Sequence, residues 1–174
     1  MENPNYSGFV ATVIRRANNP ADTAFLAVMR RADNPNQCSA AWEFLVPFCD
    51  IADDRLRLAF GLVGAAIARG KPAADGTDNV GAALRKICGA DSEVQEREER
   101  RLRRLIACDT VWELLPVLRP ILRYIQDRGK DKNISINYTG LLKELLYWNE
   151  KTRIVWTRDF FRKSADAAPE KEAE

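Results

Sequence analysis

Arginine is the residue type through which this chain could act on another molecule. It supplies 19 of the 27 basic side chains. Residues 96–109, EREERRLRRLIACD, pack nine formal charges into fourteen positions, and five of them are Arg97, Arg100, Arg101, Arg103 and Arg104. A guanidinium offers a planar fork of donors that matches a phosphate or a carboxylate. Arg30-Arg31 and the i,i+4 pair Arg119 and Arg123 repeat the theme elsewhere. Groups that make or break covalent bonds are scarce by contrast. Histidine is absent, which removes the commonest general base and the commonest metal ligand. Cys38, Cys49, Cys88 and Cys108 lie far apart with no C-x-x-C pair, so no metal site is expected and the thiols read as reduced small hydrophobes. There is no G-x-x-x-x-G-K-[ST], no G-x-G-x-x-G and no G-x-S-x-G. Nothing in the sequence asks for an enzyme or a cofactor; what it offers is a way to hold anions.

The wheel of the charged segment divides its arginines. With Leu102 at 0° and about 100° per residue, Leu105 and Ile106 join it in a buried stripe. Arg97, Arg100 and Arg104 then point away from the core, while Arg101 and Arg103 flank the stripe. Glu96–Arg100 and Glu99–Arg103 are i,i+4 pairs, and Glu98–Arg101 is an i,i+3 pair, as on an ordinary solvated helix. Within residues 96–109, Arg97 and Arg104 are left without an acidic partner at helical spacing. Arg119 and Arg123 repel one another unless something negative lies over them. Trp42, Trp112, Trp148 and Trp156 could stack on bases, but aromatics at helical spacing are more often core, and core is expected for all four.

The elements that position these side chains are helical throughout. Ser7 is expected to cap a first helix, and Asn19-Pro20 to open a second that ends in Arg30-Arg31. Ser39 opens a short third helix. A fourth runs from about Asp53 to Arg69 with Gly70 at its C′ position. GKPAADGTDN at 70–79 reads as a long flexible loop. A fifth helix closes at Gly89, and the charged segment is the sixth. Thr110-x-x-Glu113 is a capping box opening a seventh, kinked or irregular at Pro116 and Pro120. RGKDKN at 128–133 is a basic turn, and two further helices carry Tyr138 to Trp148 and Ile154 to Phe161. No strand alternation persists.

The expectation is an all-α protein of about nine helices in two small bundle-like lobes, 1–90 and 91–163. The last eleven residues, 164–174, read as a disordered acidic tail; their net charge of −3 leaves +5 on the remainder of a chain that totals +2. No run approaches the roughly 20 apolar residues of a membrane span. The opening MENPNYSGF lacks the basic and apolar regions of a signal peptide. Both point to the cytoplasm.

Taken in order, several segments resemble the CasB family, the small subunit of the type I-E CRISPR surveillance complex Cascade. They are AFLAVMRRAD at 24–33, AAWEFLVPF at 40–48, NVGAALRKI at 79–87, ERRLRRLIACD at 99–109, LRPIL at 118–122 and LLKELLYWNEKTRIVWTRDFF at 141–161. The resemblance implies an all-helical, two-lobed, non-catalytic subunit present as a pair within the complex. It implies contact with the CRISPR guide RNA, the backbone of the target DNA and the displaced strand, besides other Cascade subunits, and no membrane. Carried over by position, the nucleic-acid-binding residues are Arg30, Arg31, Arg85, Arg100, Arg101, Arg119, Lys151 and Arg153. Ala107 and Pro120 depart from the family pattern. The basic loop 127–136 is longer, so that Lys130 and Lys132 could add contacts. If the sixth helix grips a phosphate backbone, Arg101 is expected to matter more than Arg104. Two other readings stand beside this one. A helical protein–protein adaptor would need an exposed apolar patch. A helix-turn-helix regulator, with its turn at Gly89-Ala90-Asp91, has acids where its recognition helix should begin.

Overall fold

Short polar side chains start most of the helices. In the computed structural model, which describes residues 4–162, Asn5, Asp53, Asn79, Asp91, Thr110, Asn137 and Asn149 each accept a hydrogen bond from a backbone N–H of the following turn. The helices so defined are α1 (Tyr6–Ala17), α2 (Thr23–Met29), α3 (Trp42–Leu45), α4 (Asp54–Gly70), α5 (Val80–Cys88), α6 (Ser92–Ile106), α7 (Val111–Arg128), α8 (Tyr138–Leu146) and α9 (Glu150–Phe161), with a 3₁₀ turn at Cys38–Ala41 before α3. The protein is all-α; among the described residues the single β feature is an isolated parallel bridge between Asp78 and Ile136. The acidic segment 164–174 lies outside the described residues.

Several boundaries differ from the expected ones, each for a local reason. Asn5, not Ser7, caps α1: its Oδ1 accepts from Gly8 N at 2.9 Å. Asn19-Pro20 forms a turn closed by Asp22 N donating to Asn19 O, and α2 starts only at Thr23. Gly70 belongs to α4, and Lys71 is the left-handed residue, at φ 46°. Gly70 is small for another reason: a Cβ there would lie 2.7 Å from Gln126 Nε2, which donates to Ala66 O at 2.6 Å. The Thr110 cap forms as expected, but Glu113 accepts from Asp109 N at 2.8 Å. Helix α7 runs unbroken through Pro116 and Pro120. Both prolines sit on its exposed side, where water can take the place of the missing intrahelical bonds.

The centre of the molecule is α4. Ala59 to Ala68 are buried without interruption, because α1, α2, α7 and α8 pack around it. A helix apolar on all sides has no solvated face to offer and must be enclosed. Helix α5 in turn packs between α6 and α9. Gly81 allows the closest approach there, since a Cβ at this position would run into the carbonyl oxygen of Trp156. Trp156 is fully buried and donates from Nε1 to Glu144 at 2.9 Å. Burial pushes the Glu144 carboxyl above its ordinary range, against the hydrogen bond from Trp156.

The segment 70–79, read from its composition as flexible, is pinned. Gly76 N donates to Ile136 O, Thr77 N and Asp78 N to Ser135 O, and Asn137 N returns a bond to Asp78 O. Asp75 accepts from Tyr138 N at 2.6 Å and Thr139 N at 3.2 Å, capping α8 from outside it. Asp78 is buried and paired with Lys86 at 2.8 Å. Its carboxylate also accepts from Ser135 N, 57 residues further along the chain. Composition reports the turn-formers of a loop; it does not report that a distant second loop is bonded to it.

The tryptophans also divide. Trp156 is core, and Trp148 packs against it at 5.0 Å between ring centroids. Trp42 and Trp112 are not core: they are 36 % and 50 % exposed. Trp112 lies in the first turn of α7, away from the face buried by Val111, Leu114, Leu115 and Leu118.

Replacing Gly81 by Ala forces backbone apart at the α5–α9 crossing, because a carbonyl, unlike a side chain, cannot rotate away. The expected loss is about 3 kcal/mol, read from the urea midpoint; an unchanged midpoint would show that the two helices are free to separate.

Candidate nucleic-acid interface

Glu96, Glu98 and Glu99 of α6 each take the arginine their spacing predicts, in different surroundings. Arg100 and Glu96 are 3.6 Å apart and both more than 70 % exposed, so their pairing contributes little. Arg103 pairs with Glu99 at the same surface. Arg101 is different. Its Nη1 donates to Glu98 Oε1 at 2.5 Å, and Glu98 is 0 % exposed. Tyr124 on α7 donates its hydroxyl to the same oxygen at 2.6 Å, and the Arg101 guanidinium lies 3.9 Å from the centre of the Tyr124 ring. Burial, then the hydrogen bond to Glu98, push the Tyr124 hydroxyl up. Arg101 is thus committed to joining α6 to α7. Arg97 and Arg104 have no ion-pair partner among the described residues and are exposed.

A second carboxylate gathers more cations than it can neutralise. Asp33 follows α2, and its side chain is 1 % exposed. Arg69 of α4 reaches it at 2.6 Å, Arg119 of α7 at 3.0 Å and Arg123 of α7 at 3.5 Å. Arg30 stands beside the group: its Nε donates to Ala68 O at 3.2 Å, and its own carbonyl accepts from Arg69 at 2.9 Å. Burial alone would raise the Asp33 carboxyl, but the hydrogen bonds and charges of Arg69 and Arg119 outweigh it and hold the group below the ordinary carboxylate range. Four guanidiniums and one carboxylate leave a formal surplus of +3. Arg69 and Arg123 continue into a cleft of about 650 Å³ that Gln126, Lys130 and Tyr138 also line.

The negative group that the Arg119–Arg123 spacing demanded is therefore internal. Asp33 lies 86 residues before Arg119, and nothing local to α7 could have named it. Arg69 was missed altogether, because a cation in the last turn of a helix already has a sufficient explanation in the helix dipole.

The family model for the CRISPR-associated protein Cse2 matches residues 25–161. The chain belongs to the Cse2 family. Among solved structures, a CRISPR-associated Cse2-family protein from Thermus thermophilus is similar to it with a TM-score of 0.67 and 20 % identity, covering 91 % of this chain and 99 % of that one. A structure of CasB from Thermus thermophilus gives the same values. CasB from Thermobifida fusca gives 0.61 and 19 %, with the same coverage. At these identities the structures show a shared fold. No curated protein matches the chain.

Within this Cse2-family fold the remaining expected residues fall into separate groups. Arg31 is exposed beside Arg30 and has no ion-pair partner among the described residues. Arg85 donates to Gln95 at 3.1 Å, linking α5 to α6. Lys151 is exposed in the first turn of α9. Arg153 pairs with Asp109 at 3.2 Å, donates to the Asp109 carbonyl at 3.4 Å and lies 5.7 Å from the centre of the Trp148 ring. Arg30 and Arg119 are brought together with Arg123, already paired with Arg119 by spacing, and with Arg69, which the sequence did not single out; Arg85, Arg100 and Arg101 stay on α5 and α6.

Three of the four thiols, Cys49, Cys88 and Cys108, are buried. Burial, with Asp50 and Asp53 nearby, pushes Cys49 up to about 12, and burial raises Cys88 and Cys108 as well. Among the described residues no group of His, Cys, Asp or Glu is arranged to hold a metal ion, and no helix is long and apolar enough to cross a membrane.

The two buried carboxylates set the expected stability changes. Asp33→Asn leaves Arg69, Arg119 and Arg123 around a neutral group and costs about 2 kcal/mol at pH 7. The folded pKa of Asp33 lies below the unfolded value of about 3.9. Its contribution is therefore complete above the unfolded value and vanishes as pH falls through the folded one. Urea midpoints of the two proteins should converge below about pH 4; a constant gap would show that charge is not its source. Arg101→Ala strands Glu98 and should cost about 2–3 kcal/mol, against less than about 0.5 kcal/mol for Arg104→Ala; equal midpoints would mean Glu98 finds another partner.

Proposed function

We propose that the chain is a non-catalytic subunit of a type I-E CRISPR surveillance complex, Cascade, and holds nucleic acid there through a sequence-independent basic surface. The observation that carries the reading is the convergence of Arg69, Arg119 and Arg123 on the one carboxylate of Asp33, with Arg30 beside them. Helix ends and a buried anion fix these guanidiniums in place, so little side-chain entropy remains to be lost when a phosphate arrives. The surplus charge is what a phosphate backbone requires. Base pairing with the guide RNA supplies sequence information in such complexes, so the subunit needs to grip backbone and no more. Family membership supports the assembly: guide RNA, target DNA, other Cascade subunits and a second copy of the chain are the proposed partners, in the cytoplasm. Arg31, Arg100, Lys151 and Arg153 extend the surface, while Arg85 and Arg101 contribute by bracing the helices that carry it.

The adaptor reading has one observation in its favour. Val46 and Tyr147, 56 % and 61 % exposed, border a second cleft with Tyr6 and Phe48. An apolar patch of this kind suits docking on neighbouring subunits and is compatible with the first reading.

A surplus of three positive charges predicts a log–log salt slope near −2 on single strands, or about twentyfold weaker binding between about 50 and 200 mM salt. Fluorescence anisotropy with labelled oligonucleotides measures it. Arg123→Ala should flatten the slope by about 0.7 and weaken all sequences alike. Absence of binding at low salt, or binding indifferent to salt, would sink the proposal.

A further inference from the structure

On α7 the basic cluster continues into an aromatic side chain that the fold leaves bare. Trp112 is half exposed although tryptophan is the largest apolar surface the chain has to bury. At about 100° per residue, Trp112 stands within about 20° of Arg119 and about 20° of Arg123 on the helix wheel. Pro116, also exposed, lies between them. The buried face of Leu114, Leu118, Leu122 and Ile125 is turned about 120° from this stripe. Arg153 is bonded to Asp109, three residues before Trp112. One exposed indole therefore lies between the Arg153–Asp109 ion pair at the start of α7 and the two cations Arg119 and Arg123 at its middle.

The spacing suits a single strand. Seven residues of helix separate Trp112 from Arg119, a rise of about 10 Å, and eleven separate it from Arg123, about 16 Å. Stacked nucleotides repeat about every 3.4 Å, so the indole and the guanidiniums fall about three to five nucleotides apart on one strand. A base can lie against the indole only if it is unpaired. The two prolines make the stripe stiff and remove backbone donors from it.

We propose that Trp112 is a base-stacking residue for single-stranded nucleic acid, acting beside the phosphate-holding Arg119 and Arg123. This rests on the proposed function and narrows its ligand: the strand held along α7 is unpaired, with its bases toward the helix. Stacking tolerates every base, so the contact adds affinity without adding sequence preference.

The test uses the full chain, a labelled oligo(dT) strand and a strand of equal length made of abasic sites. Trp112→Ala should weaken oligo(dT) binding about tenfold, leave abasic-strand binding within about twofold and leave the salt slope unchanged. Trp112→Phe should restore most of the loss, and the quenching of intrinsic tryptophan fluorescence by oligo(dT) should disappear in both variants. Circular dichroism and the urea midpoint establish that each variant is folded. Equal affinity of Trp112→Ala and the parent for oligo(dT), or an equal loss on the abasic strand, overturns the stacking role. So does a variant that keeps nucleic acid but loses a Cascade subunit, which would make Trp112 a protein contact. If the parent protein binds neither strand at low salt, the proposed function fails and this inference falls with it; if the parent binds with the expected salt slope and Trp112→Ala is indifferent, only the inference falls.

Discussion

The buried carboxylate of Asp33 is the interaction on which the arrangement of the basic side chains depends. It sits just beyond α2, yet its partners come from the end of α4 and the middle of α7. Removing a carboxylate from water is costly, and one guanidinium with good geometry roughly offsets that cost. Three guanidiniums do more than offset it. They remain charged, they are held together against their mutual repulsion, and they still face outward in part. Asp33 both ties three helices and keeps a positive surface assembled.

Glu98 shows what the same chemistry does at a different ratio. It meets one arginine and one tyrosine hydroxyl, both at Oε1, so the charge is balanced and no surplus cation remains. Arg101 is taken up in the packing of α6 on α7, although its sequence surroundings are richer in arginine than those of Arg119. The number of guanidiniums per buried carboxylate, and not the local density of arginines, separates a balanced brace from a surface left with a positive surplus.

These ion pairs rest on an apolar frame that carries no chemistry. Helix α4, buried along most of its length, sets the positions of α1, α2, α7 and α8 around it, and Gly81 lets α9 come close to α5. The frame keeps Arg69 at the end of one helix and Arg119 and Arg123 on the flank of another. Rigid elements hold a binding constellation more accurately than loops do.

Much of this was legible in the residues themselves. Helical periodicity marked every long helix, the ordered segments from AFLAVMRRAD to the closing aromatic helix pointed to the family, and the three Glu–Arg pairs of α6 formed as spaced. These depend on neighbours within a turn or two, where geometry is set by the helix itself. The even spacing of Arg119 and Arg123 went further and demanded an anion. What it could not name was Asp33, because that partner is supplied by the packing of α2 and α4 on α7. Nor could local sequence tell Trp112 from Trp156: both sit at helical spacing among apolar residues, and only the direction in which α7 and α9 present them decides which is enclosed. The pinned segment 70–79 makes the same point, since its order comes from residues 135–139. The sequence by itself determined the helices, the family and the supply of arginine. Tertiary structure alone decided which arginines are engaged by buried carboxylates and which stay outside, because that depends on side chains far apart in the chain meeting across helix contacts.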